Sequence, residues 1–187
     1  MVPLISLGLP ILVAAVIVFV ASFVLHMLLP LHRNDLRKLP REDEVLEALR
    51  RFSIPPGDYV APHAGSPAAM KDPAFVEKMK KGPLVMMTIA AGRAPALAGN
   101  LAQWFVYSLV VSLFAGYIAS RALGPGAAYP EVFRFVGTAA FLGYSLALAQ
   151  HSIWYRRNWV TTLKSMFDGL VYALLSAGTF GWLWPRS

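Results

Sequence analysis

The run from Leu4 to Pro30 is interrupted only by Ser6, Gly8, Pro10, Ser22 and His26. A bilayer core needs about 20 apolar residues at a rise of about 1.5 Å each, so this run can cross one as a helix. It has no basic leader, and its apolar core is longer than the about 7–15 residues of a signal peptide. Both points predict an uncleaved first span. Three further apolar stretches follow, over about 97–120, 132–155 and 162–184. Hydrocarbon supplies no hydrogen bonds, so each span must satisfy its own backbone. The expected fold is therefore an all-α membrane protein, a four-transmembrane-helix bundle. The composition agrees, with 57% hydrophobic and 14% charged residues against about 25% charged in soluble domains.

The expected organisation is a first span over 1–30, a hydrophilic segment over 31–93, and three spans over 94–187. The hydrophilic segment carries 11 of the 17 lysines and arginines. Two short helices are predicted in it. In the first, Pro40 opens the helix and Glu42, Asp43, Glu44 and Glu47 precede Arg50 and Arg51, matching the helix dipole. In the second, Asp72 is the N-cap, Pro73 the first helical residue and Gly82-Pro83 the stop. Residues 84–91 (LVMMTIAA) are apolar but too short to cross; a strand pairing with Tyr59-Val60 and an interfacial lead into the next span both fit.

The loops set an expected orientation. The 31–93 segment is basic, the 124–130 loop has no basic residue, and Arg156, Arg157 and Lys164 follow the third span. Positive charge collects on the cytoplasmic side, which predicts a cytoplasmic hydrophilic segment and both termini outside. The same bias accounts for the net charge of +7 without nucleic acid as a partner. Trp104, Trp154 and Trp159 would then mark the inner interface, and Tyr117, Tyr129, Trp182 and Trp184 the outer one.

Small residues recur at every fourth position on three spans: Ser108, Ser112, Gly116 and Ser120; Ala139, Gly143 and Ala147; Ser165, Gly169, Ala173, Ala177 and Gly181. Such rows let helix backbones approach closely where lipid offers no hydrophobic drive. Short loops force neighbouring spans together, so the rows are read as packing seams.

The polar membrane residues are expected in one cytoplasmic-side layer of His26, Asn100, Gln103, Gln150, His151 and Asp168. Within it Asp168 is expected to meet His151, with His26 approaching from the first span. Two histidines at one depth admit a haem reading with His26 and His151 as axial ligands, which the tight packing argues against. A metal site of His26, His151 and Asp168 is allowed by ligand type, but its spacing is no recognised motif. His32 and His63 are read as solvated or loop-capping. With no cysteine, thiolate sites and cysteine nucleophiles are excluded. No phosphate-binding loop, dinucleotide fingerprint, GxSxG or HExxH is present, so no catalytic residue, cofactor or metal is assigned.

The run GDYVAPHAGSPAAMKDPAFVEKMKKGP and the ending TTLKSMFDGLVYALLSAGTFGWLWPR resemble a group of small four-span bacterial inner-membrane proteins. That resemblance implies a bacterial inner-membrane location and brings no activity with it. The expected function is a non-catalytic accessory, assembly or partner-binding membrane protein. The expected partners are the lipid bilayer and a second copy or another membrane protein. An oligomeric small-solute or ion transporter and a haem- or metal-binding membrane protein are the alternatives. The predicted topology is testable in intact cells. Cysteines introduced at Ser66 and Asn158 should be shielded from impermeant thiol reagents, and one introduced at Ala127 should label; the reverse pattern would invert the orientation.

Overall fold

A computed structural model describes residues 1–92 and 96–186. In chain order its main elements are α1 (Gly8–Phe23), α2 (Glu42–Arg51), β1 (Gly57–Ala61), α3 (Pro73–Lys81), β2 (Val85–Ile89), α4 (Leu97–Ala122), α5 (Tyr129–Tyr144), α6 (Ala149–Tyr155) and α7 (Trp159–Leu183). Four helical stretches are long and apolar enough to span a membrane: Leu4–Leu28, Leu97–Ala122, Tyr129–Tyr155 and Trp159–Leu183. The chain divides into two compact units, one of Met1–Leu36 with Ala96–Ser187 and one of Arg37–Pro95.

In the spanning unit α7 packs against α1 and α5, and α4 packs against the same two helices. The small residues of α4 and α7 make these contacts. Ser108, Ser112, Gly116 and Ser120 are buried on α4, and Gly169, Ala173 and Ala177 on α7. A Cβ at Gly116 would lie 2.8 Å from the Phe180 ring, and one at Gly181 2.7 Å from the Tyr129 ring. At these two places glycine is what makes room for an aromatic ring.

The third span departs from its expected seam. Its buried row is Val132, Val136, Ala140 and Tyr144, while Gly143 and Ala147 are exposed. The helix breaks after Tyr144. Ser145 leaves the helical region (φ −124°, ψ −59°), and its hydroxyl donates to the Met166 carbonyl at 2.8 Å. A 3₁₀ turn, Leu146–Leu148, then leads into α6. The cause lies on α7, where a Cβ at Gly169 would meet the Tyr144 carbonyl oxygen at 2.7 Å and Ser145 Cα at 2.9 Å. Backbone meets backbone there, and the register beyond the break is lost. Gly143 still serves close approach, since a Cβ on it would lie 3.0 Å from Val111.

At the other end of the bundle, the Val2 N–H donates to the Ser120 carbonyl (3.2 Å) and the Gly126 N–H to the Pro185 carbonyl (2.8 Å). Trp184 donates to the Gly124 carbonyl at 3.0 Å. Trp184 is thus buried in a loop closure and is not a belt residue, whereas Trp154, Trp159 and Trp182 are exposed.

The hydrophilic unit holds both short helices. Asp72 caps α3 by accepting from the Ala74 N–H at 3.0 Å, and Pro73 takes the first turn. It also holds a two-stranded sheet, one of the two readings open for residues 84–91. β1 and β2 form an antiparallel pair with Tyr59 opposite Met87, so residues 85–89 are a strand. Val85, Met87 and Ile89 alternate with more exposed neighbours, the two-residue period of a strand with one covered face, and Thr88 Oγ1 donates to Asp58 Oδ1 at 2.6 Å.

The backbone contact at Gly169 predicts opposite effects for two glycine substitutions. Gly169→Ala should lower stability in detergent by about 1–3 kcal/mol, the usual cost of overpacking. Gly99→Ala, on an exposed helical position with nothing within 4 Å of the added Cβ, should raise it by up to about 1 kcal/mol. Thermal unfolding of both variants is the measurement, and equal tolerance would remove the packing role of Gly169.

Candidate metal centre

The first span does not simply run out into water. Its last turn is a π turn, Val24–Leu28, closed by the Leu29 N–H donating to the Val24 carbonyl at 3.1 Å. Leu29 is extended, as a residue preceding proline tends to be. Pro30–His32 then forms a 3₁₀ turn that packs against α7. The reversal brings His26 and His32 into a parallel stack, with ring centroids 4.4 Å apart and planes within 4°.

Both rings face Asp168, which is 2% exposed. His32 Nε2 lies 2.8 Å and His26 Nε2 3.8 Å from Asp168 Oδ2. On their other sides, His26 Nδ1 is 3.1 Å from the Ser22 carbonyl oxygen and His32 Nδ1 is 2.7 Å from Asp35 Oδ2. A carbonyl and a carboxylate only accept hydrogen bonds, so Nδ1 carries the proton in each ring. In a neutral ring Nε2 is then a lone pair. A lone pair 2.8 Å from a carboxylate oxygen repels it unless a cation lies between them. The contact also lacks hydrogen-bond alignment: His32 Nε2 and Asp168 Oδ1 are both buried without a hydrogen-bond partner.

Asp35 is anchored in turn. Lys164 Nζ donates to Asp35 Oδ1 at 3.0 Å and to the Leu31 carbonyl at 2.7 Å. Lys164 and Asp168 are four residues apart on α7 and so share a face; together they grip the returning chain at two points. Burial alone would raise the Asp35 carboxyl. The hydrogen bonds from His32 and Lys164, with the Lys164 charge, outweigh it and hold the group below the usual carboxylate range.

Of the six residues expected in the polar layer, the structure brings together His26 and Asp168. Asn100, Gln103, Gln150 and His151 are exposed, and the His151 ring lies near Tyr155, 6.0 Å between centroids. The place expected for His151 is taken by His32, whose side chain is only 12% exposed. Among the described residues, the ligand atoms of His26, His32 and Asp168 all lie within 4.8 Å of one another. The reading of His32 as solvated or loop-capping missed two sequence signals that could have found it: Pro30, which turns the chain where the span ends, and Asp35 three residues beyond the histidine. Trp104, expected at the interface, instead donates to Ser22 Oγ at 2.9 Å and packs against Tyr107, Tyr144 and Tyr172.

That aromatic group, with His26 and Asp168, lines a cavity of about 620 Å³. The architecture is thus a unit of four helical stretches long and apolar enough to span a membrane, with a His-His-Asp cluster where the first stretch and α7 meet, opening on an apolar cavity. No known protein family, curated protein or solved structure matches the chain.

The anchoring of Asp35 is measurable by a double-mutant cycle. Lys164→Met and Asp35→Asn should each destabilise the protein, and the double variant should lose less than their sum by about 0.5–3 kcal/mol, the range for directly contacting polar pairs. Additive losses in thermal unfolding would mean that the two side chains act independently.

Proposed function

We propose that this chain is a multi-pass membrane protein that binds a divalent first-row transition-metal ion through His26 Nε2, His32 Nε2 and the Asp168 carboxylate. The carrying observation is the 2.8 Å approach of two acceptors, His32 Nε2 and Asp168 Oδ2, with both Nδ1 atoms already committed. A proton would answer that one contact but would leave His26 Nε2 and Asp168 Oδ1 unused. A metal ion answers all three ligands. The pattern behind them also fits, because metal-binding histidines commonly hand their second nitrogen to a carboxylate or a backbone carbonyl. Here Asp35 and Ser22 supply one of each.

Two imidazoles and one carboxylate suit zinc or ferrous iron, and three protein ligands leave a position open. The parallel stack must splay for one ion to lie near both ring planes. His26 is the ring free to tilt, since its side chain is 49% exposed and a single 3.1 Å hydrogen bond holds it. The accessory role expected from the sequence thereby becomes ion binding. Charge supports a cytoplasmic-side position for the site: 14 of the 17 lysines and arginines lie in the hydrophilic segment, the turn before α7 and the start of α7 (Arg156, Arg157 and Lys164), against Arg121, Arg134 and Arg186 towards the other end.

Elemental analysis and calorimetric titration of metal-free protein with zinc test the reading. One ion per chain is expected, and His32→Ala or Asp168→Ala should abolish stoichiometric uptake. Asp35→Asn, which meets His32 at the nitrogen facing away from the ion, should weaken affinity by about 10–100-fold. Failure to take up one ion from zinc, ferrous or manganous solutions alike would overturn the assignment.

A further inference from the structure

The cavity beside the cluster is not a sealed packing defect. At about 620 Å³ it falls within the range of about 300–1,000 Å³ that holds small ligands. Val20, Phe23 and Met27 of the first span and Leu101 and Tyr107 of α4 line it, and all five are substantially exposed on spanning helices. In a bilayer those positions meet acyl chains, so the mouth between α1 and α4 gives onto hydrocarbon.

The polar atoms of the lining are unevenly used. Ser22 Oγ donates to the Phe19 carbonyl and accepts from Trp104. Tyr107 donates to the Gly143 carbonyl, Tyr144 to the Ser108 carbonyl and Ser165 to the Thr161 carbonyl. Two buried atoms on lining residues have no hydrogen-bond partner, Asp168 Oδ1 and the Tyr172 hydroxyl. Tyr172 is 3% exposed and stands one helical turn beyond Asp168 on the same face of α7. The two unsatisfied buried atoms of the lining therefore belong to residues one helical turn apart on α7, next to the open position of the metal.

Resting on that metal reading, we infer that the cavity binds a single-chain amphiphile with a carboxylate head, a long-chain fatty acid, whose head oxygen takes the open position on the ion and whose chain lies among Phe19, Phe23, Trp104 and Tyr144. Charge selects the head group. A divalent ion offset by Asp168 carries one residual positive charge, which a monoanion neutralises. A phosphate monoester brings about −1.5 to −2 and needs further cationic donors, yet among the described residues no lysine or arginine lines the cavity and Lys164 is already engaged with Asp35 and Leu31. The Tyr172 hydroxyl supplies a donor for the second carboxylate oxygen.

The test uses full-length protein in phosphatidylcholine nanodiscs, zinc-loaded or chelator-treated, with zinc content measured on each sample. The probe is a long-chain fatty acid carrying a nitroxide on its chain, read by quenching of tryptophan fluorescence, with Trp104→Phe identifying the contribution of the cavity. Saturable, Trp104-dependent quenching is expected in the zinc-loaded sample, at least tenfold weaker after zinc removal. Tyr172→Phe should weaken fatty-acid binding several-fold while zinc affinity is unchanged, because Tyr172 is not a ligand. Zinc-loaded protein that shows no saturable quenching, or equal binding with and without zinc, overturns the fatty-acid site and leaves the metal reading standing. A long-chain alkyl phosphate that competes better than the carboxylate also overturns it. Protein that takes up no zinc overturns both, and the zinc measurement distinguishes this case from the others.

Discussion

A carboxylate buried in an apolar helix bundle has to be answered by positive charge or by donors, because an unpaired buried charge costs several kcal/mol. Asp168 sets that condition near the start of α7, and the surrounding chain meets it. The π turn, the extended residue before Pro30 and the short helical turn after it carry His32 back over α7, where His26 already points. Lys164 and Asp35 then fasten the reversal. Without the acid, Pro30 would still turn the chain, but His32 would lose its partner on α7.

The next residue along α7 performs a different task. Gly169 lets the α5 backbone approach to the distance at which Tyr144 and Ser145 can no longer continue a regular helix. The Ser145 hydroxyl is satisfied by a carbonyl of α7 rather than of its own helix. That break sets Tyr144 and Leu148 on the wall of the cavity. Consecutive residues of one helix thus supply the carboxylate of the cluster and the packing that shapes the space beside it, so the cluster and the helix contact are mechanically one object.

Much of this was legible in the residues. Length and apolarity marked the four spanning helices, and Asp72-Pro73 with Gly82 marked α3 to within a residue. The serine and small-residue rows of α4 and α7 read correctly because burial on an unbroken helix follows its period. The row on the third span did not, since a contact from another helix interrupts that period at Ser145. In the site, Asp168 and His26 stood out as polar atoms in apolar runs. His32 did not, because it sits in a hydrophilic stretch where a solvated histidine is the ordinary case; only the fold-back, set by tertiary contacts with α7, gives it a buried partner. The hairpin of residues 57–61 and 85–89 was one of two open readings, as a short apolar run has no period that separates a strand from an interfacial segment.

The mouth of the cavity has a thermodynamic consequence of its own. Each methylene moved from water into an apolar phase contributes about 0.8 kcal/mol, but a molecule already dissolved in a leaflet has collected that gain before it meets the protein. Passing from acyl chains into a pocket of phenyl, indole and phenol rings exchanges one hydrocarbon-like medium for another. Tail length therefore governs how much ligand partitions into the bilayer, and recognition is left to the few atoms of the head. Apparent affinities referred to aqueous concentration would rise with chain length even though the pocket itself discriminates little among tails; mole fraction in the membrane is the scale on which its selectivity becomes visible.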